Sequence, residues 1–454
     1  MKKIRLNPPQ VIVLSFLLVI ILGSILLSLP ISASNNTGPG LIDSIFTATS
    51  ATCVTGLVVK DTGSFFSPFG RLVILCLIQA GGLGIMTFST MFAILLGRKL
   101  SISQNITVQN ALGHTHIEGL KRLILYIVIF TFSVEAIGII LLYFRWKSTM
   151  GWGALATLEK SIFHAISAFC NAGFSLFSTS VMGFRSDWVI ITVFSFLIIV
   201  GGMGFVVFLD IPKLKFWRKD RKLIFSRISL QTKIVLIVTL SLIILGALGV
   251  WLFESGYSLE GLTLKEKLSS CIFTSITPRT AGFNILSTGA LRPVTLFMLI
   301  MLMFIGASPG STGGGIKTVT FGIIIAGFCS MFYNKDRISL FGRTIPRETY
   351  RRAAVILFLG FFVVIGSTFL LSATESANAQ SSHYFLSMLF ESTSAFGTVG
   401  LSTGITPHLS GLGKIIVILT MFVGRVGPLT LALAIAMRTE KISYRYPEEK
   451  LMVG

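Results

Sequence analysis

Charge is what this 454-residue sequence has least of. Asp, Glu, Lys and Arg make up 12% of it, against about 25% in soluble domains. Hydrophobic residues reach 53% and the mean hydropathy is +0.83. So little charge excludes a water-soluble globule and points to an integral membrane protein. Cysteine is sparse as well. Cys53, Cys76, Cys170, Cys271 and Cys329 show no C-x-x-C spacing, which argues against metal binding or a disulfide framework. No soluble segment is long enough for a catalytic or regulatory domain, and neither H-E-x-x-H nor a true phosphate-loop pattern occurs. An enzyme is not expected, and a regulatory domain must come from another chain.

What is there is apolar and periodic. Stretches near 11–29, 72–96, 123–144, 188–209, 234–253, 294–305, 353–371 and 415–436 are mostly long enough to cross a core of about 30 Å, which takes about 20 helical residues. Eight spans are expected. Lys2, Lys3 and Arg5 precede the first, whose apolar run of roughly 19 residues exceeds that of a signal peptide and reads as an uncleaved anchor. Acidic residues number 18 against 38 basic ones, for a net charge of +20. Lys and Arg gather in 1–9, 97–122, 212–233, 333–352 and 438–454, which hold 3, 4, 8, 6 and 4, together 25 of the 38. These segments alternate with the spans, so they and both termini face the cytoplasm. The excess positive charge then marks topology and contacts anionic lipid rather than nucleic acid.

The segments on the other side resemble one another. They read FTATSATCVTGL (46–57), FHAISAFCNAGF (163–174), FTSITPRTAGF (273–283) and FESTSAFGTVGL (390–401). Gly56, Gly173, Gly282 and Gly400 each precede Leu or Phe, and each follows by five residues a small one: Ala51, Ala168, Thr277 or Ala395. The glycines are 117, 109 and 118 residues apart, and small-residue clusters GGLG (81–84), GGMG (201–204), GASPG (306–310) and GRVG (424–427) begin 25, 28, 24 and 24 residues after them. Two motifs in step four times imply four repeats, divided as 1–98, 99–222, 223–340 and 341–454. Each reads as span, half-helix, glycine loop, span. The expected fold is an all-α integral membrane protein of four covalently linked span–pore loop–span repeats, with eight transmembrane helices and four re-entrant half-helices around one pore.

Non-helical backbone at membrane depth is tolerated where it lines a water-filled path or is buried in protein. Four loops about one axis can replace the water of a cation with rings of carbonyl oxygen, and glycine permits the positive φ that such backbone often adopts. Packing of small residues is the competing explanation of any one cluster. The sixth span is interrupted by GASPGSTGGG (306–315), a poor helix given glycine and proline propensities, and a mobile loop there can close the path. The adjoining GSTGGGIKT is superficially similar to a phosphate loop, but Ile316 separates the last glycine from Lys317.

At these motifs, with NPPQ (7–10) and FVGRVGPLTL (422–431), the sequence resembles the Trk/Ktr/HKT superfamily, most closely the membrane subunit of bacterial Ktr potassium uptake systems. The resemblance covers essentially the whole chain. It implies potassium uptake across a bacterial plasma membrane, often sodium-dependent, by a pore within a homodimer regulated by a cytoplasmic ring of nucleotide-binding subunits. Potassium is then substrate and sodium a coupling or activating ion, with no resident cofactor. The implied filter is Thr52, Cys53, Val54, Thr55 and Gly56; Phe169, Cys170, Asn171, Ala172 and Gly173; Pro278, Arg279, Thr280, Ala281 and Gly282; and Phe396, Gly397, Thr398, Val399 and Gly400. The implied gate is Gly306, Ala307, Ser308, Pro309, Gly310, Ser311, Thr312, Gly313, Gly314 and Gly315, with Lys317 and Arg425.

Arg425 takes the place of Gly82 and Gly202 in its repeat. A charge at mid-bilayer must line a cavity or find a partner, so it is expected below the filter, bonded to the gate. Glu135, in the third span, is expected to answer a nearby basic group, with a site for the coupling ion as the alternative, and Arg279 to point off the axis toward carbonyls or a helix end. His114 and His116 read as solvated. A voltage sensor lacks its arginine repeat. A less selective sodium and potassium channel and a secondary solute carrier remain as alternatives.

Overall fold

The computed structural model describes residues 8–84, 120–210, 228–334, 337–375 and 383–435. The basic stretches 1–9, 97–122, 212–233 and 438–454 lie wholly or mostly outside them, and so do His114 and His116.

The described chain is almost all helix. A long α1 (Pro8–Ser28) leads to a short α2 (Leu41–Thr52) and an apolar α3 (Pro68–Leu83). The order returns as α4 (Leu120–Met150), α5 (Ala154–Phe169) and α6 (Trp188–Met203), continued by α7 (Phe205–Asp210). It returns as α8 (Leu230–Glu254), α9 (Leu264–Ile276) and α10 (Pro293–Phe304), with α11 (Thr318–Phe332) beyond a non-helical stretch. A hairpin of β1 (Ser339–Leu340) and β2 (Arg343–Thr344) then leads to α12 (Arg347–Thr374), α13 (Tyr384–Gly397), α14 (Gly411–Val426) and α15 (Pro428–Ile435).

Local chemistry sets the helix starts. Ser67, Asp187, Ser229 and Ser410 cap α3, α6, α8 and α14 through their side-chain oxygens. Thr263 and Glu266 form a capping box on α9, satisfying two orphan donors. The Ser186 hydroxyl also donates to Glu266, and together these bonds hold its exposed carboxyl down at about 2.

Among the described residues four helices are long and apolar enough to cross a membrane: Pro9–Ser28, Ile124–Met150, Leu230–Glu254 and Arg347–Thr374. Their exposed flanks carry residues such as Ile21, Leu245, Phe358 and Phe369, a surface suited to lipid rather than water. The second apolar segment of each quarter is interrupted, which the sequence leads us to expect of the sixth span alone. α3 and α6 stop after 16 residues and α10 after 12, short of the ~30 Å core at 1.5 Å per residue. For α3, α6 and α14 the stop is conformational: Gly84, Gly204 and Gly427 have φ of 80°, 86° and 92°, which a right-handed helix cannot continue through. At Gly427, α14 and α15 meet at 94°.

Each short helix packs against its own long one, α2 on α1, α5 on α4, α9 on α8 and α13 on α12. Phe46, Phe163, Phe273 and Phe390, the first residues of the four motifs, are all buried in these contacts. The first and last quarters meet in an apolar seam that includes Phe16, Phe46, Cys53, Met388 and Met421. Lys414 closes it with a 2.7 Å ion pair to Asp43.

Glu254, fully buried at the end of α8, ties that helix to α10. It accepts from Arg292 N at 2.9 Å and Thr295 Oγ1 at 2.5 Å through Oε1, and from Ser258 N at 3.4 Å through Oε2. Glu254→Ala strands these donors and is expected to lower the unfolding free energy by about 3 kcal/mol. The check is the thermal midpoint in detergent, with Glu254→Gln expected to lose much less.

Candidate functional site

The short helices all run out at the motifs picked out in the sequence. α2 ends at Thr52, α5 at Phe169, α9 at Ile276 and α13 at Gly397. Thr52, Phe169, Phe396 and Gly397 therefore lie in a last helical turn. Cys53 and Cys170, both buried free thiols, cap α2 and α5, while Pro278 and Arg279 follow the cap of α9.

The backbone then turns left-handed twice in each loop. Val54, Asn171, Thr280 and Thr398 have φ of 57°, 58°, 67° and 49°, and Gly56, Gly173, Gly282 and Gly400 have φ of 92°, 70°, 76° and 88°. Between them lie Thr55, Ala172, Ala281 and Val399, all fully buried. Three of the four non-glycine positions are β-branched, for which positive φ is strained, so the surroundings must impose it.

Hydroxyls supply that constraint. Ser50 Oγ donates to Leu57 O at 2.8 Å and accepts from Gly56 N at 3.1 Å. Ser167 Oγ donates to Phe174 O at 2.7 Å, Thr277 Oγ1 donates to Phe283 O at 2.8 Å, and Ser394 Oγ accepts from Gly400 N at 3.1 Å. Thr55 N, Ala172 N and Val399 N also reach back to Ser50 O, Ser167 O and Ser394 O at 2.7, 2.7 and 2.9 Å. Sequence reasoning picked out Thr277 only as a small residue and missed the three serines. They stand six residues before the glycine, while the third loop has its hydroxyl five before, so alignment on glycine did not superpose them.

The loops meet at their glycines. A Cβ on Gly56 would strike Ala172 O and come within 3.0 Å of Gly173 Cα; one on Gly173 would lie 3.0 Å from Gly282 Cα. On Gly282 it would lie 3.3 Å from Gly400 Cα, and on Gly400 it would strike Thr55 O and come within 2.9 Å of Gly56 Cα. The four contacts close a ring in chain order. Four helix C-termini, each with partial negative charge, approach it. Such backbone suits a partly dehydrated cation.

The stretch from Gly306 to Gly315 lies against the back of this ring. Gly306 N and Ala307 N pair with Ile316 O and Gly314 O, at 2.9 and 3.4 Å. Ser308 N and Thr312 N donate to Gly202 O and Gly201 O at 3.1 and 3.3 Å, Gly315 N donates to Gly424 O at 3.3 Å, and Ser311 N turns back to Ser308 O at 3.2 Å. Thr312 Oγ1 reaches Phe169 O at 3.4 Å, and Gly314 N reaches Thr398 Oγ1 at 3.0 Å. Pro309 and Gly310 sit at the break between α6 and α7, where Phe205 N donates to Gly310 O at 2.9 Å. Gly313 packs on Thr280, and its carbonyl accepts from Lys317 Nζ at 2.6 Å. Arg425 donates from one guanidinium nitrogen to Thr312 O and from another to Gly81 O, joining this stretch to the first quarter.

One charge behaves differently from expectation. Among the described residues Glu135 meets no basic partner; it accepts from Gln79 Nε2 at 3.1 and 3.3 Å and from Cys170 Sγ at 3.9 Å. Desolvation there is offset by dipoles rather than by a counter-charge. Arg279 is buried, with no partner for its Nε among the described residues. The strings Gly306–Gly310 and Gly400–Gly404 also spell G-x-S-x-G. Ser308 Oγ lies 3.0 Å from the Thr318 hydroxyl, and Ser402 Oγ lies 2.9 Å from the Thr406 hydroxyl and accepts from Gly404 N at 3.0 Å; no histidine is bonded to either among the described residues, so neither has the base of a hydrolase nucleophile.

Residues 3–445 match the protein family described as TrkH, cation transport protein. The chain belongs to that family. It is 41% identical to the Ktr system potassium uptake protein B of Bacillus subtilis (strain 168), across 100% of this chain and 98% of that protein. It is 38% identical to the protein of the same name from Vibrio alginolyticus (100% and 96%). Against the potassium/sodium uptake protein NtpJ of Enterococcus hirae the identity is 37% (99% and 98%). The solved potassium transporter TrkH from Vibrio parahaemolyticus superposes with a TM-score of 0.68 over 93% of this chain and 84% of that one, at 18% identity, and so shares the fold. The TrkH family and the four apolar helices together make this a membrane-integral protein.

Proposed function

We propose that this chain carries potassium into the cell through the ring formed by its four loops. The closed contact of Gly56, Gly173, Gly282 and Gly400 carries the reading, because only backbone reaches the ring there and backbone carbonyls can replace a cation's water. In this reading the quarters 1–98, 99–222, 223–340 and 341–454 are repeats, and Thr52–Gly56, Phe169–Gly173, Pro278–Gly282 and Phe396–Gly400 form the filter. Gly306 to Gly315, Lys317 and Arg425 form the gate.

The relatives named as parts of a Ktr system support a separate regulatory subunit, taken here as a cytoplasmic nucleotide-binding ring docked on the basic loops of a homodimer. In this reading the basic loops and both termini face the cytoplasm from a bacterial plasma membrane, which the positive-inside rule supports, and the loops meet its anionic lipids. Sodium acts as a coupling or activating ion. A second reading, in which sodium itself permeates, is favoured by the name of the Enterococcus hirae relative.

Cation flux into liposomes holding the purified chain separates the two. Potassium flux at least about tenfold above sodium flux, a difference of ~1.4 kcal/mol, is expected. Equal fluxes would replace the first reading with the second, and no flux of either ion would end both.

A further inference from the structure

The four short helices are not secured alike at their outer ends. The residue after Phe46, Phe163, Phe273 and Phe390 is Thr47, His164, Thr274 and Glu391. In the first and third quarters it leaves the loop alone: Thr47 Oγ1 donates back to Asp43 O at 2.8 Å, and Thr274 Oγ1 has no partner among the described residues.

In the second and fourth quarters the side chain is fully buried and reaches across to the chain just past the ring glycine. His164 Nε2 accepts from Leu176 N at 3.2 Å and lies 3.0 Å from Ser175 Oγ, while Nδ1 lies 2.8 Å from Lys160 O. A nitrogen that accepts from an amide carries no proton, so the ring is neutral with its proton on Nδ1. Glu391 Oε1 accepts from Thr406 Oγ1, itself 2.9 Å from Ser402 Oγ. Ser175 and Ser402 stand at the same place, two residues after Gly173 and Gly400. The ring runs in chain order, so these two loops face each other across it.

We propose that His164 and Glu391 are positioning residues that set the ion preference of the ring by pinning the outer ends of the second and fourth loops to their own short helices. The inference rests on the reading of the loops as the ion path. Two opposite loops are thus tied to their own short helices from the same position, whereas the chain past the first ring glycine is held by a different contact, Lys60 Nζ 3.9 Å from Asp43 Oδ2. Discrimination between cations of different size depends on how far such a ring can adjust, and a supporting shell that fixes it sharpens the preference.

Glu391 Oε2 has no partner among the described residues, so an amide in its place keeps the one acceptor in use. The potassium-to-sodium permeability ratio of the full-length chain in liposomes provides the test. Glu391→Ala, His164→Ala and Ser402→Ala are each expected to lower the ratio about tenfold. Glu391→Gln is expected to keep it within about twofold. Ser402→Ala leaves the short helix untouched and reports even where a helix variant does not fold. A normal ratio in folded Glu391→Ala and Ser402→Ala, or equal damage from Gln and Ala at position 391, would overturn the proposal. Gly400→Ser runs alongside: if it alone changes the ratio, the brace fails and the ion path stands, whereas if nothing changes it the path itself is misplaced.

Discussion

Gly400→Ser is expected to cut the preference for potassium over sodium by about 10- to 100-fold while leaving cation flux measurable. Gly400 has a φ of 88°, and left-handed backbone costs a residue with a Cβ about 1–2 kcal/mol. The added atom also strikes Thr55 O and comes within 2.9 Å of Gly56 Cα. Neither neighbour is a flexible side chain, so the strain is relieved by moving carbonyls out of the ring. Each ~1.4 kcal/mol of lost discrimination is a factor of ten. Gly404 makes the control, since its φ is 100° but a Cβ there meets nothing within 4 Å. Gly404→Ser carries the backbone strain without the collision. Reversal potentials in mixed potassium and sodium gradients read both variants, and equal ratios in the two would mean that ring contact is irrelevant to selectivity.

Arg425→Ala is expected to raise potassium flux about tenfold. Two cationic groups, Arg425 and Lys317, lie against the stretch behind the ring, bonded to Thr312 O and Gly313 O. A unit charge ~4 Å from a passing cation opposes it by ~4 kcal/mol at an effective dielectric constant of 20, and part of that barrier remains with Lys317. Arg425 also bridges Thr312 O and Gly81 O, so its loss both lowers the field and frees the stretch. Arg425→Lys separates the two effects, because an ammonium keeps the charge but lacks the planar fork. Fast flux in both variants would assign the barrier to the bridge, and fast flux in the alanine variant alone would assign it to charge. Unchanged flux in both would remove Arg425 from the gate.

Much of this was legible because glycine is hard to replace where φ is positive. Gly56, Gly173, Gly282 and Gly400 marked the four loops for that reason, and the interrupted stretch after Phe304 announced itself through its lack of helix formers. The breaks at Gly84, Gly204 and Gly427 were not read from the sequence. The GGLG, GGMG and GRVG clusters were visible, but a hydropathy window runs through a single glycine, which costs a helix only about 1 kcal/mol, and its dihedral angle cannot be seen. Glu135 was assigned a basic partner because charge in an apolar span invites one. Its actual neighbours, Gln79 and Cys170, lie on other helices and leave no pattern at helical spacing. The pairing of His164 with Ser175 and of Glu391 with Ser402 and Thr406 was hidden for another reason. The residue types differ between quarters although the geometry is shared, and repetition of type was the signal followed.

The order of the ring also sets a timetable for its assembly. Gly56 ends beside Gly400, 344 residues further along the chain, which is roughly 17 to 70 s of synthesis at about 5–20 residues per second. Through that interval the first quarter sits in the bilayer with one flank of its glycine loop and its half of the seam at Phe46 and Asp43 uncovered. The joints that Lys414, Arg425 and Ala434 make with Asp43, Gly81 and Gln10 are therefore the last to shut, and a nascent chain halted before residue 400 holds an open crescent in the membrane where the finished protein has a circle.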